Sequence, residues 1–198
     1  AEKLDRMFRD NRAEFEKKWN DIEVFIKYGM LTDEKFYDAA GKFFLLRDIS
    51  DRYYTLEEYR TLVEATQTDK DGDVVYLYAT DRTAQYSYSR GAEEKGYNVL
   101  LLDGQLDQHL IQMLESKLGK TRFVRVDSDT PERLIRKQDE KNADVSPLQA
   151  DLLTGIFRSQ IPAIDNTNFI VEYNSLSAGD APATVTQNEM MRRMKEMA

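Results

Sequence analysis

The chain has 198 residues, with 36 Asp and Glu against 28 Lys and Arg for a net charge of −8, enough length for one ordinary domain and a smaller second module. That acidic balance argues against nucleic acid and anionic membrane surfaces as partners, because both call for a basic face. There is no cysteine and a single histidine, His109, which removes disulfides, thiol catalysis, cysteine-based metal sites and paired catalytic histidines, and fits a reducing compartment.

Residues 1–29 read as helical, with Leu4, Phe8, Phe15, Trp19, Ile22 and Ile26 at spacings of three and four. A break is predicted near Asp10–Asn11, with Asn11 and Glu14 spaced as a capping box, and the second helix is predicted to end at Gly29. Another helix is expected from about Asp33 to Leu46. In "TLEEYRTLVEA", Thr55 and Glu58 form a second capping box.

The polar turn "TDKDGD" leads into "VVYLYA", and "YNVLLL" follows after a helix of about twelve residues that ends at Gly96. Two nearly continuous apolar runs on either side of a helix predict a covered, mostly parallel sheet with a right-handed crossover. The helix "LDQHLIQMLESKL" stops at Gly119, and "TRFVRV" gives a third strand. The expected architecture is α/β: a helical lead-in, a three-layer αβα unit, then a small α+β module.

From Asp127 the chain is mostly charged, with Pro131 at a first helical position. The expected division is 1–130 for the first module, 131–145 for a charged helical linker and 146–198 for the second module. In the second module Ser146, Pro147 and Gln149 mark a helix start. "NFIVEYN" is expected to be a strand, "SLSAGDAPA" a loop and "ATVT" a short strand. Thr186 and Glu189 are expected to frame the box opening a final Met-rich helix.

The strand–helix–strand layout is the one nucleotide-binding folds use, but its first turn, "ATDRTAQ", has no glycine. Neither GxGxxG nor GxxxxGK[ST] occurs anywhere in the chain, so a scaffold is expected instead. "DKDGD" resembles the start of a calcium loop. However, positions six and twelve fall on Val74 and Thr80, where that loop needs Gly and Glu, so a polar turn is expected. His109 and Gln112 share a helix face beside the stripe of Leu106, Leu110, Met113 and Leu114. They fit either an ordinary surface or a polar-aromatic contact surface. Met190, Met191, Met194 and Met197 form a stripe suited either to the module's own core or to an adaptable contact surface.

Several segments together resemble the heat-shock protein 90 chaperones, in their bacterial, high-temperature protein G branch: "FEKKWNDIEVFIKYG", "TLEEY" followed by "VVYLYATD", and "KGYNVLLLDGQLDQHLIQML". The acidic inserts of the eukaryotic members are missing. The resemblance implies a segment of a longer cytoplasmic, homodimeric, ATP-dependent chaperone of the stress response. It implies the end of the middle domain followed by the start of the carboxy-terminal domain, without the final dimerisation helices. ATP and Mg would then bind an amino-terminal domain outside this segment, leaving no cofactor, metal or catalytic residue within it and no enzyme activity of its own.

By the same resemblance, His109 and Gln112 match positions that contact unfolded or partly folded client proteins. Met190, Met191, Met194 and Met197 match an amphipathic client-contacting helix. Other domains of the same chaperone would be further partners. Pro182 and Ala183 match a family S/T-P-A motif, while Ser175 stands where the family has Arg. The rival expectations are a small-molecule α/β enzyme using carboxylates, or a protein-interaction domain with a fixed partner. An enzyme should show a polar pocket at the strand ends near Thr80 and Asp103, and the chaperone reading expects none there.

Overall fold

The computed structural model describes residues 1–137, 145–165, 167–173 and 182–197, with side chains to 195 in the last stretch. They form two compact units, one of residues 1–138 with 185–198 and one of 139–184.

The first unit begins with four helices, α1 (Glu2–Asp10), α2 (Arg12–Lys17), α3 (Trp19–Thr32) and α4 (Glu34–Ala40). The expected break is present, and Asn11 caps α2 by accepting from the Glu14 amide at 3.1 Å. The predicted stop at Gly29 is corrected: α3 runs three residues further, to Thr32. Gly29 is small for a packing reason, since a Cβ there would come within 2.8 Å of the Phe36 ring. The next helix is also shorter than expected. It starts after the Asp33 cap but stops at Ala40, because Phe43, Phe44, Leu45 and Leu46 leave the helix to enter the core. Trp19 is fully buried there, 6.0 Å from Phe15 and 5.6 Å from Phe44 between ring centroids.

A small antiparallel pair follows, β1 (Leu46–Arg47) with β2 (Tyr53–Tyr54). The turn between them is organised by the fully buried Asp48, which accepts from the amides of Ser50 and Arg52, the Arg52 guanidinium, the Tyr54 hydroxyl and the Asn98 amide. A buried carboxylate with this many donors satisfies the rule that buried charge must be matched. Then come α5 (Leu56–Gln67), with the predicted Thr55–Glu58 capping box, and β3 (Val74–Ala79). After them the chain forms α6 (Tyr86–Glu94), β4 (Val99–Leu101), α7 (Asp107–Leu118), β5 (Thr121–Arg125) and α8 (Pro131–Leu134).

The three long strands form a parallel sheet in the order β4-β3-β5. All six residues of β3 are buried, and their alternation splits the core in two. Val74, Tyr76 and Tyr78 pack with Tyr59, Val63, Leu110, Ile111, Leu114 and the lead-in helices. Val75, Leu77 and Ala79 pack with Ala92, Val99, Val126, Leu134 and Ile135. The expected three-layer arrangement is therefore present, with α5 and α7 on one face and α6 and α8 on the other. Gly96, with φ +80, and Gly119, with φ +54, end α6 and α7 in conformations that a side chain would strain.

Three further expectations change. Leu134 and Ile135 are core residues, so the start of the supposed solvated linker belongs to the first unit; residues 138–144 lie outside the described residues. In the second unit α9 (Pro147–Gln160) carries the predicted Ser146–Gln149 box, and none of its residues is buried. However, residues 168–173 of "NFIVEYN" form no strand, nor do 183–186 of "ATVT", so the α+β expectation fails among the described residues; the loop at 174–181, with Ser175, lies outside them. The final helix, α10 (Glu189–Met197), begins later than expected. Asn188 caps it by accepting from the amides of Met190 and Met191, displacing the predicted Thr186–Glu189 box. It also packs with the first unit, where the expected division put it in the second module.

Candidate functional site

The turn after β3 is where the nucleotide question is decided. The Gln85 side chain is buried, and its carboxamide oxygen accepts from the Thr80 amide at 2.7 Å, the Thr80 hydroxyl at 3.3 Å and the Asp81 amide at 3.0 Å. The Asp81 carboxylate accepts from the Thr83 and Ala84 amides at 2.8 and 2.9 Å. The backbone donors that would face a phosphate at a helix start are thus taken by the chain's own side chains.

Beside this turn lies an open depression of about 590 Å³ lined by Arg47, Asp51, Thr80, Asp81, Arg82, Thr83, Leu101 and Asp103. The chaperone reading expected no polar pocket there, and that expectation is corrected. Its two cations are engaged, however: Arg47 with Asp103 at 3.0 Å and Arg82 with Asp51 at 2.7 Å. The Arg82 hydrogen bond holds the Asp51 carboxyl below the usual carboxylate range.

The "DKDGD" stretch is a turn, as expected. Asp69 accepts from the amides of Asp71 and Asp73, both at 2.9 Å, and pairs with Arg122 at 2.9 Å. Among the described residues, no group of three or more His, Cys, Asp and Glu side chains is placed to hold a metal ion.

Helix α7 is fixed at its start by a buried charge cluster that the sequence reading did not single out. Lys27 of α3 reaches Asp107 at 2.6 Å and Glu23 at 2.7 Å, and Asp107 also accepts from the Gly104 amide at 2.8 Å. Burial pushes the Lys27 ammonium down, but Asp107 and Glu23 outweigh it and hold it above its ordinary value. The signal was available: Lys27 sits one turn from Glu23 on a helix whose neighbours Ile26 and Met30 are core. Helix α7 buries Leu110, Ile111 and Leu114 and leaves His109 and Gln112 exposed. Ile111 joins the expected stripe, while Leu106 lies just before the helix as its N-cap.

Helix α10 docks on the same face of the unit, by its charges. The Tyr78 hydroxyl donates to Glu189 at 3.1 Å and accepts from Arg192 at 2.6 Å, and Arg192 is only 2% exposed. Arg193 reaches Glu115 of α7 at 2.8 and 3.1 Å, Glu189 at 2.8 Å and the Phe123 carbonyl at 2.7 Å. Burial and the Glu189 charge push the Tyr78 hydroxyl up to about 12, so it stays protonated. Burial opposes the Arg193 charge, yet Glu115 and Glu189 hold its guanidinium above the usual range. On the outer side Met190, Met191 and Met194 are 65%, 67% and 58% exposed, and the Met197 side chain lies outside the described ones. Of the two readings left open for this stripe, packing into the core does not hold for the three described methionines.

Over all 198 of its residues the chain is 50% identical to the chaperone protein HtpG of Porphyromonas gingivalis and 49% identical to that of Bacteroides thetaiotaomicron. It is homologous to a segment of these chaperones, as the motifs "FEKKWNDIEVFIKYG" and "KGYNVLLLDGQLDQHLIQML" already suggested. The segment spans 29% of the length of each of these two relatives. No family profile matches the chain. Among solved structures, the middle domain of a Plasmodium falciparum heat shock protein overlaps it with a TM-score of 0.45 at 18% identity, covering 58% of this chain and 48% of that one. That overlap is partial and adds nothing to the sequence likeness. Among the described residues, no helix is long and apolar enough to cross a membrane.

Proposed function

We propose that the chain is a scaffold and client-contacting segment of an ATP-dependent molecular chaperone and does not itself hydrolyse nucleotide. The observation that carries this reading is the orientation of α10: its arginines face the α/β unit and its methionines face outward. Flexible, polarizable thioethers held outward suit partners of variable shape, such as unfolded or partly folded proteins. His109 and Gln112 on the exposed face of α7 are the second contact group, with Met197 extending the first. In the same reading the parent carries ATP and Mg on a preceding domain, dimerises through following helices and works in the cytoplasm. The division after residue 138 then separates a middle domain from the start of a carboxy-terminal domain, with α10 packed with the former.

The test is Met190→Glu with Met194→Glu in the 198-residue chain, titrated against fluorescently labelled, reduced and carboxymethylated α-lactalbumin by anisotropy. Affinity should fall at least about tenfold, roughly 1.4 kcal/mol, with the unfolding midpoint unchanged. Unchanged affinity would overturn the assignment. The depression at Thr80 and Asp103 favours a second reading, a small-molecule enzyme using carboxylates. Against it stand the ion pairs that engage Arg47 and Arg82 and the side chains that occupy the turn amides.

A further inference from the structure

The docking of α10 is inverted relative to an ordinary surface helix. Amphipathic helices bury their apolar stripe and expose their charges. Here Arg192 and Arg193 point inward and the described methionines point out. A helix of nine residues is too short to persist alone in water, so its helicity depends on what it docks against. The docking groups are polar: the Tyr78 hydroxyl, the Glu115 carboxylate, the Phe123 carbonyl and, through Glu189, the Arg125 amide at 3.3 Å. The approach to the helix is polar as well. The Gln187 amide donates to the Asp127 carbonyl at 3.0 Å, and the Tyr88 hydroxyl donates to the Val185 carbonyl at 2.6 Å.

The side chains of Arg193, Glu115 and Glu189 are 19%, 25% and 20% exposed, so water and salt reach the pairs. Charge-assisted bonds of this kind hold geometry firmly when intact, but a mobile ion can compete for them in a way it cannot compete for a packed core. The described methionines add nothing to the core; what α10 covers on the unit is the Tyr78 side chain, through Arg192.

We infer that α10 is a releasable arm, held on the α/β unit by an arginine–carboxylate latch between Arg193 and Glu115 of α7, with Glu189 bracing Arg193 from within the helix. In the latched state the helix is formed, its methionines face outward, and it is bonded to α7, the helix that carries His109 and Gln112. In the released state the helix frays and its methionines are free to turn onto another apolar surface. The latch is a local, low-stability element of the kind that opens without unfolding the remainder.

Amide hydrogen exchange on the 198-residue chain tests this. Two variants are needed: Glu115→Gln, which keeps the oxygen that accepts from the Phe123 amide, and Arg193→Gln, which leaves that acceptor untouched. In each, protection over residues 190–195 should fall about tenfold or more, the loss expected for one charge-assisted contact, with β3 and β5 unchanged. Raising salt from about 0.1 M to about 1 M, which shortens the Debye length from about 10 to about 3 Å, should do the same to the wild type. Unchanged protection of α10 under all three conditions would overturn the latch. So would a loss spread equally through β3 and β5, which would make the helix an integral part of the unit. A second readout rests on the client reading above: Glu115→Gln should change affinity for the carboxymethylated α-lactalbumin probe. Faster α10 exchange without any change in affinity keeps the latch and counts against the client reading instead.

Discussion

The turn after β3 and the outer side of α10 occupy the same α/β unit and treat their functional groups in opposite ways. In the turn, Gln85 and Asp81 take four backbone amides and the cations nearby are paired, so the groups that could receive a ligand are committed. On α10 the charges are committed inward and three large apolar side chains are left outward. A topology shared with nucleotide-binding proteins thus has its turn amides occupied by its own side chains, while α10 keeps an apolar side open. Function follows from which groups are left unspent, and the strand order alone does not reveal it.

The largest effect should come from breaking the foundation of the helical side. Lys27→Ala strands Asp107 in the interior, and losing one partner of a buried pair costs about 3–5 kcal/mol. Urea unfolding should show that loss, and a cost below about 1 kcal/mol would mean water reaches Asp107. The closed turn can be broken next. Gln85→Ala removes the acceptor from the Thr80 and Asp81 amides, which should cost about 1–3 kcal/mol. If stability is unchanged, the carboxamide is not what closes the turn.

The smallest expected effect lies at the rim, where Arg12 of α2 pairs with Glu58 of α5 at 2.8 Å. The Arg12 hydrogen bond lowers the Glu58 carboxyl from its ordinary value to about 2. Its contribution should therefore be complete above its ordinary range near 4.5 and fade as the pH falls toward 2. Because the pair is well exposed, the contribution should be about 1 kcal/mol or less. The stability gap between the wild type and Glu58→Gln should be visible at pH 6 and close near pH 2. A gap that widens on acidification would reverse the assigned sign.

The parallel sheet, the Thr55 and Ser146 capping boxes, the Asn11 break and the glycine stops at Gly96 and Gly119 were legible because each rests on local chemistry: an apolar period, a cap residue, a positive φ. What was misread depends on distant partners. Gly29 looked like a helix stop, but its smallness serves the Phe36 ring. The apolar segment 43–46 kept a helix-like composition while leaving the helix to fill the core. "NFIVEYN" reads as a strand only if another strand pairs with it. For the candidate site, residue types and resemblance pointed to His109, Gln112 and the methionines. They did not show that Arg192 and Arg193 would face inward, because a helical wheel of "EMMRRMKEM" places apolar and charged sides without saying which one docks.

The buried stack of Trp19 against Phe15 and Phe44 gives the molecule a built-in optical address. Trp19 is the chain's single tryptophan, and it stacks among the lead-in residues Phe15 and Phe44, while Tyr59 and Tyr76 meet over the sheet at 4.8 Å between ring centroids. Indole emission therefore follows the lead-in helices, and tyrosine emission is weighted toward the sheet. If the lead-in separates from the sheet before the sheet melts, the two colours will part along a denaturation curve, with no label attached.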